Sequence, residues 1–361
     1  MVKVTRYMPE LRPKRIKKNI KKFWKIYINP PKEKKIYLKP DKLPVIAAKV
    51  DEKQTKGQPK QVVYDKKTGL AFVSCMNGHA LQVFKVTDTT VTLEDEVSFD
   101  DQCVEVLLYG DYVLVTTTNF ARPPQELHNK LWILDIKTRK IVSSMDTGGN
   151  WSKLIAVNPK AKELLISNWH SHNISVVDVT DIKKPKLKQV LKWGEAPRGI
   201  AFTPDGTQAV VTGFYSGNLG ILEKKPGSKE WESVYTGESF DKPHYSGNMR
   251  HVLIEKSGKR AIVSNLGRNM IHIWSIPKRE FIETILVGKA PNSIDWVDDR
   301  EEEIVASCRE SDFVYRIDLK KKEVVGRSGR TGSKPTGLCS VKDGFLVTGF
   351  DDATLELYKY I

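Results

Sequence analysis

An arginine and a histidine stand side by side at Arg250 and His251, at the start of an apolar segment that is typical of a β-strand. A guanidinium group can hold a phosphate or polarise a carbonyl, and an imidazole can activate water near neutral pH. Hydrolysis by this pair also needs a nearby carboxylate, and Glu105 and Glu195 are the candidates. Whether these groups form one site depends on the fold that positions them.

The elements that position these groups repeat along the chain. In the clearest unit, residues 197–223, we expect strands at 199–202, 208–212 and 218–222, with a Thr-Pro-Asp-Gly turn after the first. A fourth strand such as residues 281–287 ends a unit. Seven four-residue signatures mark the units, and they begin at Pro59, Cys103, Trp151, Pro197, Met249, Pro291 and Pro335.

Seven four-stranded units of about 45 residues are typical of a β-propeller. The seventh unit ends at Ile361 after three strands, and a spare strand at residues 44–50 precedes the first unit. We therefore predict an all-β fold, a seven-bladed β-propeller over residues 43–361 whose last blade is closed by the N-terminal strand. Residues 1–42 are predicted to be a separate basic arm with a short amphipathic helix.

The sequence segments VSN and IAFTPDG in these units resemble the repeats of YVTN propellers, the family that includes YncE-like proteins. The resemblance covers roughly residues 43–361 and is best in the third to fifth units. It implies a WD-like repeat scaffold that binds a protein or a small-molecule ligand without catalysis. That family is mostly exported or surface-associated, but the N-terminus here has no apolar signal segment, so we expect a cytoplasmic protein, peripheral to a membrane if the arm binds one.

Histidine, arginine and aromatic residues concentrate in the segments that follow second strands and that connect units. In up-and-down blades these segments share one face, where we expect the ligand or partner to bind. The alternative is that they are ordinary polar loop residues. The predicted face consists of His79, Trp169, His170, His172, Arg198, Phe214, Tyr215, Arg250, His251, Arg268 and Arg309.

A metal site on this face is a weaker hypothesis, which rests on His170 and His172. Zinc requires three or four converging ligands, and the histidines come from five different units. The cysteines lack CxxC spacing and fall at two repeat positions, so they are predicted to be buried thiols. We predict no metal site and no cofactor. The cysteines are Cys75, Cys103, Cys308 and Cys339.

Residues 247–251, Gly-Asn-Met-Arg-His, resemble the Gly-Pro-Arg-His segment of propeller lactonases of the 6-phosphogluconolactonase type. This resemblance implies an alternative function, a lactonase-like hydrolase that uses Arg250 and His251. Asn248 and Met249 depart from the motif, and the unit continues Ser-Asn-Leu-Gly-Arg-Asn instead of with the Asn-Glu of the lactonases.

Most of the excess positive charge lies in the arm. Residues 1–42 hold 15 of the 59 Lys and Arg but only 3 of the 44 Asp and Glu. We expect the arm to contact an anionic membrane surface or an acidic protein. Docking of its apolar face on the propeller and nucleic-acid binding are the alternatives. The residues concerned are Lys14, Arg15, Lys17, Lys18, Lys21, Lys22, Phe23, Trp24 and Lys25.

Deletion of residues 1–42 is expected to weaken binding to anionic vesicles, because each Lys or Arg near such a surface contributes about 1 kcal/mol. The loss should be largest at low salt, where charges are least screened. Cosedimentation of both chains with phosphatidylserine vesicles at two salt concentrations measures it. Equal binding by the full and truncated chains would contradict the membrane role of the arm.

Overall fold

The computed structural model describes residues 36–119, 129–224, 227–235 and 247–361. The predicted amphipathic helix and the basic residues of the arm lie outside this part of the chain. The chain divides into two compact units, Met1–Ile36 and Tyr37–Ile361. The second unit begins with a 3₁₀ helix at Pro40–Lys42. None of the helices in the described ranges is long and apolar enough to cross a membrane.

The second unit is built from 28 β-strands in its described residues. Short segments rich in β-branched and aromatic residues form them, and Gly, Asn, Asp and Pro in the intervening turns end them. The strands are β1 (Val45–Gln54), β2 (Pro59–Asp65), β3 (Leu70–Cys75), β4 (Ala80–Val86), β5 (Val91–Ser98), β6 (Gln102–Tyr109), β7 (Tyr112–Thr118), β8 (Lys130–Asp135), β9 (Ile141–Asp146), β10 (Ser152–Val157), β11 (Glu163–Asn168), β12 (Asn173–Asp178), β13 (Lys186–Lys192), β14 (Pro197–Phe202), β15 (Gln208–Gly213), β16 (Leu219–Lys224), β17 (Trp231–Tyr235), β18 (Met249–Ile254), β19 (Arg260–Asn265), β20 (Met270–Ser275), β21 (Glu280–Leu286), β22 (Pro291–Trp296), β23 (Glu303–Cys308), β24 (Phe313–Asp318), β25 (Glu323–Ser328), β26 (Pro335–Val341), β27 (Gly344–Gly349) and β28 (Thr354–Tyr360).

Twenty of these strands form five four-stranded sheets, each with its strands in chain order: β2 to β5, β6 to β9, β10 to β13, β14 to β17 and β18 to β21. The other eight form one sheet in the order β22-β23-β24-β25-β1-β28-β27-β26. The fold is therefore all-β with repeated four-stranded sheets. The prediction of a seven-bladed β-propeller was wrong, because the described strands make six sheets and one of them has eight strands.

The strand that causes this difference is β1. It pairs antiparallel with β28, at the place expected for the missing strand of the seventh unit. It also pairs in parallel with β25, where Val45 lies opposite Arg327. The amide of Arg327 donates to the carbonyl of Pro44 at 3.0 Å, and the amide of Gly329 donates to the carbonyl of Ala47 at 2.8 Å. Both edges of β1 are thus paired, and the last two units become one sheet.

Apolar side chains fill the spaces between neighbouring sheets. Val73 and Phe84 from the first four-stranded sheet pack with Leu346 and Leu357 of the eight-stranded sheet in one such cluster. The four cysteines are free and buried, which confirms that prediction. The first strands of the repeated units also contact one another in a closed series, from β2 through β6, β10, β14, β18, β22 and β26 back to β2.

A buried hydroxyl group connects each first strand to the second strand of its unit. The Oγ of Ser264 accepts a hydrogen bond from the amide of His251 at 3.0 Å and donates to the carbonyl of Asn292, in the next unit, at 2.7 Å. We call this arrangement the hydroxyl bridge. Equivalent hydroxyls in the other second strands accept from their own first strands, and all are fully buried. They belong to Ser74, Thr116, Ser167, Thr212, Ser307 and Thr348.

The amide that donates in each bridge lies in an irregular part of the first strand. In β18 the pairing register shifts between Met249 and Val252, and the other six first strands shift at the same place. Such a β-bulge leaves residues unpaired and redirects side chains. Gly199 lies in one bulge, where a Cβ would approach the carbonyl oxygen of Arg250 to 2.3 Å, so the close contact between first strands there requires glycine.

Replacement Ser264→Ala is expected to lower the free energy of unfolding by about 1–3 kcal/mol, because it leaves the buried amide of His251 and the carbonyl of Asn292 without this partner. Urea unfolding measures the change. Ser98→Ala, at an exposed strand position, is the matched control and should change little. Equal stability of the two variants would contradict the structural importance of the hydroxyl bridge.

Candidate functional site

Charged side chains from the bulged strands converge on one buried place. Glu105 on β6 accepts hydrogen bonds at Oε1 from Nζ of Lys60 on β2, at 2.6 Å, and from Nη1 of Arg198 on β14, at 3.0 Å. Lys153 on β10 and Arg250 on β18 are close enough to act electrostatically on the same group. We call these five residues the cationic cluster.

The cationic cluster holds more positive than negative charge. Four cations surround the one carboxylate of Glu105, so three positive charges are in excess when all the cations are protonated. Glu105 and Lys153 are 5% exposed and Arg198 is 7% exposed. A buried ion costs several kcal/mol unless a partner compensates it. The excess charge must therefore be reduced by loss of protons or balanced by an added anion.

Burial and the neighbouring cations lower the pKa values of both lysines of the cluster. Burial, followed by the charges of Arg198 and Arg250, lowers the pKa of Lys60 to about 8, although Glu105 opposes the shift. Burial, Lys60 and Arg198 lower the pKa of Lys153 well below its ordinary value. The ammonium group of Lys153 lies 4.2 Å above the ring of Trp151, which is a cation–π contact. Lysine deprotonation is therefore one route by which the cluster loses charge.

The carboxylate of the cluster stays ionised. Burial alone would raise the pKa of Glu105, but the charges of Lys60 and Arg198 hold that pKa well below its ordinary value. Its role here is to hold two cations in place, and at neutral pH it has no proton to donate. Glu195, the second predicted carboxylate, accepts a hydrogen bond from the amide of Ser216 at 2.9 Å and another from the hydroxyl of the same residue. Burial raises the pKa of Glu195.

His251 lies at the edge of the cluster and is neutral near pH 7. Burial lowers the pKa of His251 to about 4, and the nearby Arg198 and Lys60 contribute to the same shift. Its Nδ1 lies 3.1 Å from the carbonyl oxygen and 3.2 Å from the amide nitrogen of Ile294. Arg250 donates from Nη1 to Oδ1 of Asn292. The structure thus brings Glu105, Arg250 and His251 together, as the sequence hypothesis of a hydrolytic site required.

Two cavities meet at the cationic cluster. The smaller has a volume of about 10 Å³, enough for roughly one water molecule, and is lined by Lys60, Arg198 and Arg250 among others. The larger has a volume of about 510 Å³ and shares Gln61, Glu105, Leu154 and His251 with the smaller. Its walls also include Pro159 and Pro204 in turns between first and second strands. It therefore lies on the side of the cluster away from the predicted binding face.

Aromatic residues of the predicted face lie on the other side of the cluster. The ring of Trp169 is 4.7 Å from Trp151, 5.7 Å from Phe214 and 5.3 Å from Tyr215. The guanidinium carbon of Arg250 lies 5.6 Å from the Phe214 ring. Trp169, Phe214 and Tyr215 therefore do form one group, and Tyr215 is 40% exposed. Trp151 belongs to this group and was not predicted.

The predicted histidines occupy ordinary turn positions. His79 and His172 have φ of 50° and 54°, and their carbonyls accept equivalent hydrogen bonds from Phe99 and Trp193 at 2.8 Å. His170 is exposed, with its ring 6.4 Å from that of Trp169. No group of three or more His, Cys, Asp or Glu residues in the described ranges is arranged to hold a metal.

The two remaining arginines of the predicted face differ in their relation to the cluster. Arg309 lies 4.9 Å above the ring of Phe350, and its charge contributes to a lowered pKa of Arg250. The backbone amide of Arg268 donates to Oδ1 of Asn265 at 3.0 Å. Arg309 therefore adds positive potential near the cluster, and Arg268 is part of a turn.

Three residues at this place, Lys60, Lys153 and Asn292, were not among the predicted site residues. All three fall at the second or third position of the repeated signatures, as Glu105, Arg198 and Arg250 do. The charged and amide residues at these two positions of the signatures are therefore the sequence signal for the cluster, and the histidines of the loops are not. The hydroxyl bridge was equally visible, since every second strand has Ser or Thr near its end.

No protein-family model matches the chain. It is 26% identical over 259 residues to antigen Lp49 of Leptospira interrogans serogroup Icterohaemorrhagiae serovar copenhageni (strain Fiocruz L1-130). This match covers 64% of the chain and 55% of that protein, so it spans about half of the relative's length. A solved structure of a functionally unknown protein from Desulfotomaculum acetoxidans DSM 771 is similar, with a TM-score of 0.62 and 14% identity over 76% of this chain and 87% of that one. That likeness shows the fold alone, and the YVTN resemblance stays a prediction.

Proposed function

We propose that this protein is a non-catalytic binding protein whose ligand is a small anion held at the cationic cluster. The observation that carries the proposal is the imbalance of four cations around the single carboxylate of Glu105. An anion beside the cluster supplies the missing negative charge, and charge-assisted hydrogen bonds of this kind are about twice as strong as neutral ones.

The cluster offers suitable donors. Arg198 and Arg250 present guanidinium groups, which match the geometry of carboxylate and phosphate oxygens. The buried Nε of Arg250 has no hydrogen-bond partner in the described part of the chain. An unpaired buried donor costs free energy that a ligand oxygen would recover. The ligand therefore gains both from charge and from a donor that the protein leaves unused.

Sulfate is expected to stabilise the protein, and the replacement Lys153→Met should remove most of this effect. Because burial and the neighbouring cations disfavour the charged form of Lys153, the same variant should be at least as stable as the native chain when sulfate is absent. Urea unfolding with increasing sulfate measures both, since stabilisation follows the ratio of ligand concentration to Kd.

The control for this experiment is Lys192→Met, which removes an exposed lysine. Sulfate stabilises any folded protein to some extent, and the response of Lys192→Met measures this general effect. The effect on the native chain should also weaken above about pH 8, because Lys60, with a pKa of about 8, then loses the charge that attracts the anion. An equal sulfate response in Lys153→Met and Lys192→Met would contradict the proposal.

A lactonase-like hydrolase is the second candidate, and one observation favours it. Glu105, Arg250 and His251 line the same small cavity. His251 is neutral at pH 7 and can accept a proton, but the ion pairs of Glu105 with Lys60 and Arg198 leave this carboxylate poorly suited to act as a base.

Turnover of 6-phosphogluconolactone tests the hydrolase directly. If this candidate is correct, the native chain should hydrolyse the lactone faster than the spontaneous reaction, and Arg250→Ala and His251→Ala should each abolish the excess rate. Arg330→Ala, at an exposed position away from the described cavities, is the control and should keep it. A rate in the native chain no higher than in buffer would rule this candidate out.

The scaffold role implied by the YVTN resemblance completes the proposal. The exposed Tyr215 and the adjoining Trp169 offer an aromatic surface for a protein partner. In this proposal residues 1–42 attach the protein to an anionic membrane or an acidic protein, which the vesicle experiment tests. The anion site and the arm are independent, so either can fail without the other.

A further inference from the structure

The lining of the larger cavity indicates which chemical class of anion the site would bind. Resting on the proposed anion site, we infer that the ligand is an amphipathic carboxylate, with its carboxylate at the cationic cluster and its apolar tail in the 510 Å³ cavity. Among the described residues, the cavity combines a polar floor with an unpaired group, apolar walls and a charged entrance.

The floor of the cavity is polar and incompletely paired. Gln61 is 8% exposed and lines both cavities, and its Oε1 has no hydrogen-bond partner among the described residues. Oxygen and nitrogen of a glutamine amide exchange places by a simple flip, so Gln61 can present either an acceptor or a donor. His251 lines the same floor. Its Nδ1 contacts the backbone of Ile294, so its Nε2 is the ring nitrogen that can bind a ligand. Lys60, Arg198 and Arg250 lie directly beyond this layer.

The walls of the cavity are mostly aliphatic. Side chains from successive first strands line it, including Val63, Leu107, Leu154, Ala201 and Leu253. Each of these five residues is only half-buried, so it still has apolar surface to cover. A small inorganic anion would leave these walls unused, whereas an alkyl or aryl tail would remove them from water. Cavities of this size hold small organic ligands in other proteins.

The entrance of the cavity is charged. A surface cleft of about 980 Å³ shares Val63, Leu107, Leu108, Asp295 and Cys339 with the cavity. Its remaining lining includes Asp298, Asp299, Arg300 and Arg316. A ligand that passes this mixed-charge entrance meets the apolar walls next. It meets last the floor of Gln61, His251 and Glu105, behind which lie the cations of the cluster. This order of surfaces fits a molecule with one anionic end and one apolar body.

The test is isothermal titration of the native protein with butanoate, hexanoate, octanoate and decanoate. We expect Kd to fall about fourfold for each added methylene until the cavity is filled, because burial of each methylene contributes a constant free energy. Alkyltrimethylammonium ions of equal length should not bind. The variant Leu107→Gln should flatten the dependence on chain length, and Leu93→Gln, at an exposed strand position, should not.

The outcomes separate this inference from the anion proposal. Sulfate stabilisation together with a Kd that does not change with chain length would overturn the tail and leave the anion site standing. Equal binding of alkyl ammonium ions would overturn the carboxylate position at the cluster. Absence of both sulfate and carboxylate binding would overturn the proposed function itself. The chain-length series on the native protein decides the question even if Leu107→Gln does not fold.

Discussion

The hydroxyl bridge is the interaction on which the rest of this structure depends. A single buried Ser or Thr oxygen accepts from a bulged amide in its own unit, and Ser264 shows how it also donates to a carbonyl of the next unit. Buried backbone groups must be paired, and a bulge would otherwise leave one unpaired. The bridge therefore allows every first strand to bulge at the same place. The residues in those bulges are the ones that form the cationic cluster.

This arrangement concentrates charge where the protein can least solvate it. The ion pairs of Glu105 with Lys60 and Arg198 compensate part of the positive charge. The positive charge that is not compensated, together with burial, lowers the pKa values of Lys60 and Lys153. Strongly perturbed pKa values cluster at functional sites in proteins, and this is the physical basis for the proposed anion site. An anionic ligand and the folded protein would thus stabilise each other, through the same excess charge.

Much of the fold followed from the sequence, because strand periodicity and turn residues repeat seven times. The observed β14 and β15, Pro197–Phe202 and Gln208–Gly213, lie within two residues of their predicted bounds. The sheet arrangement did not follow, because only three-dimensional proximity decides that β1 pairs with β25 as well as with β28. The site was found in part. Arg198, Arg250, His251 and Glu105 were predicted for chemical reasons. Lys60 and Lys153 were missed because a lone lysine in a strand has no chemical signature, and only its position in the repeated signatures marks it.

The most direct test of this account is a crystal structure of the protein grown or soaked with bromide, with data collected at the bromine absorption edge. The account predicts an anomalous peak within hydrogen-bond distance of the side chains of Arg198, Arg250 or Lys153. Peaks confined to exposed lysines, with the cationic cluster resolved and no anion beside it, would contradict the claim that this cluster binds anions.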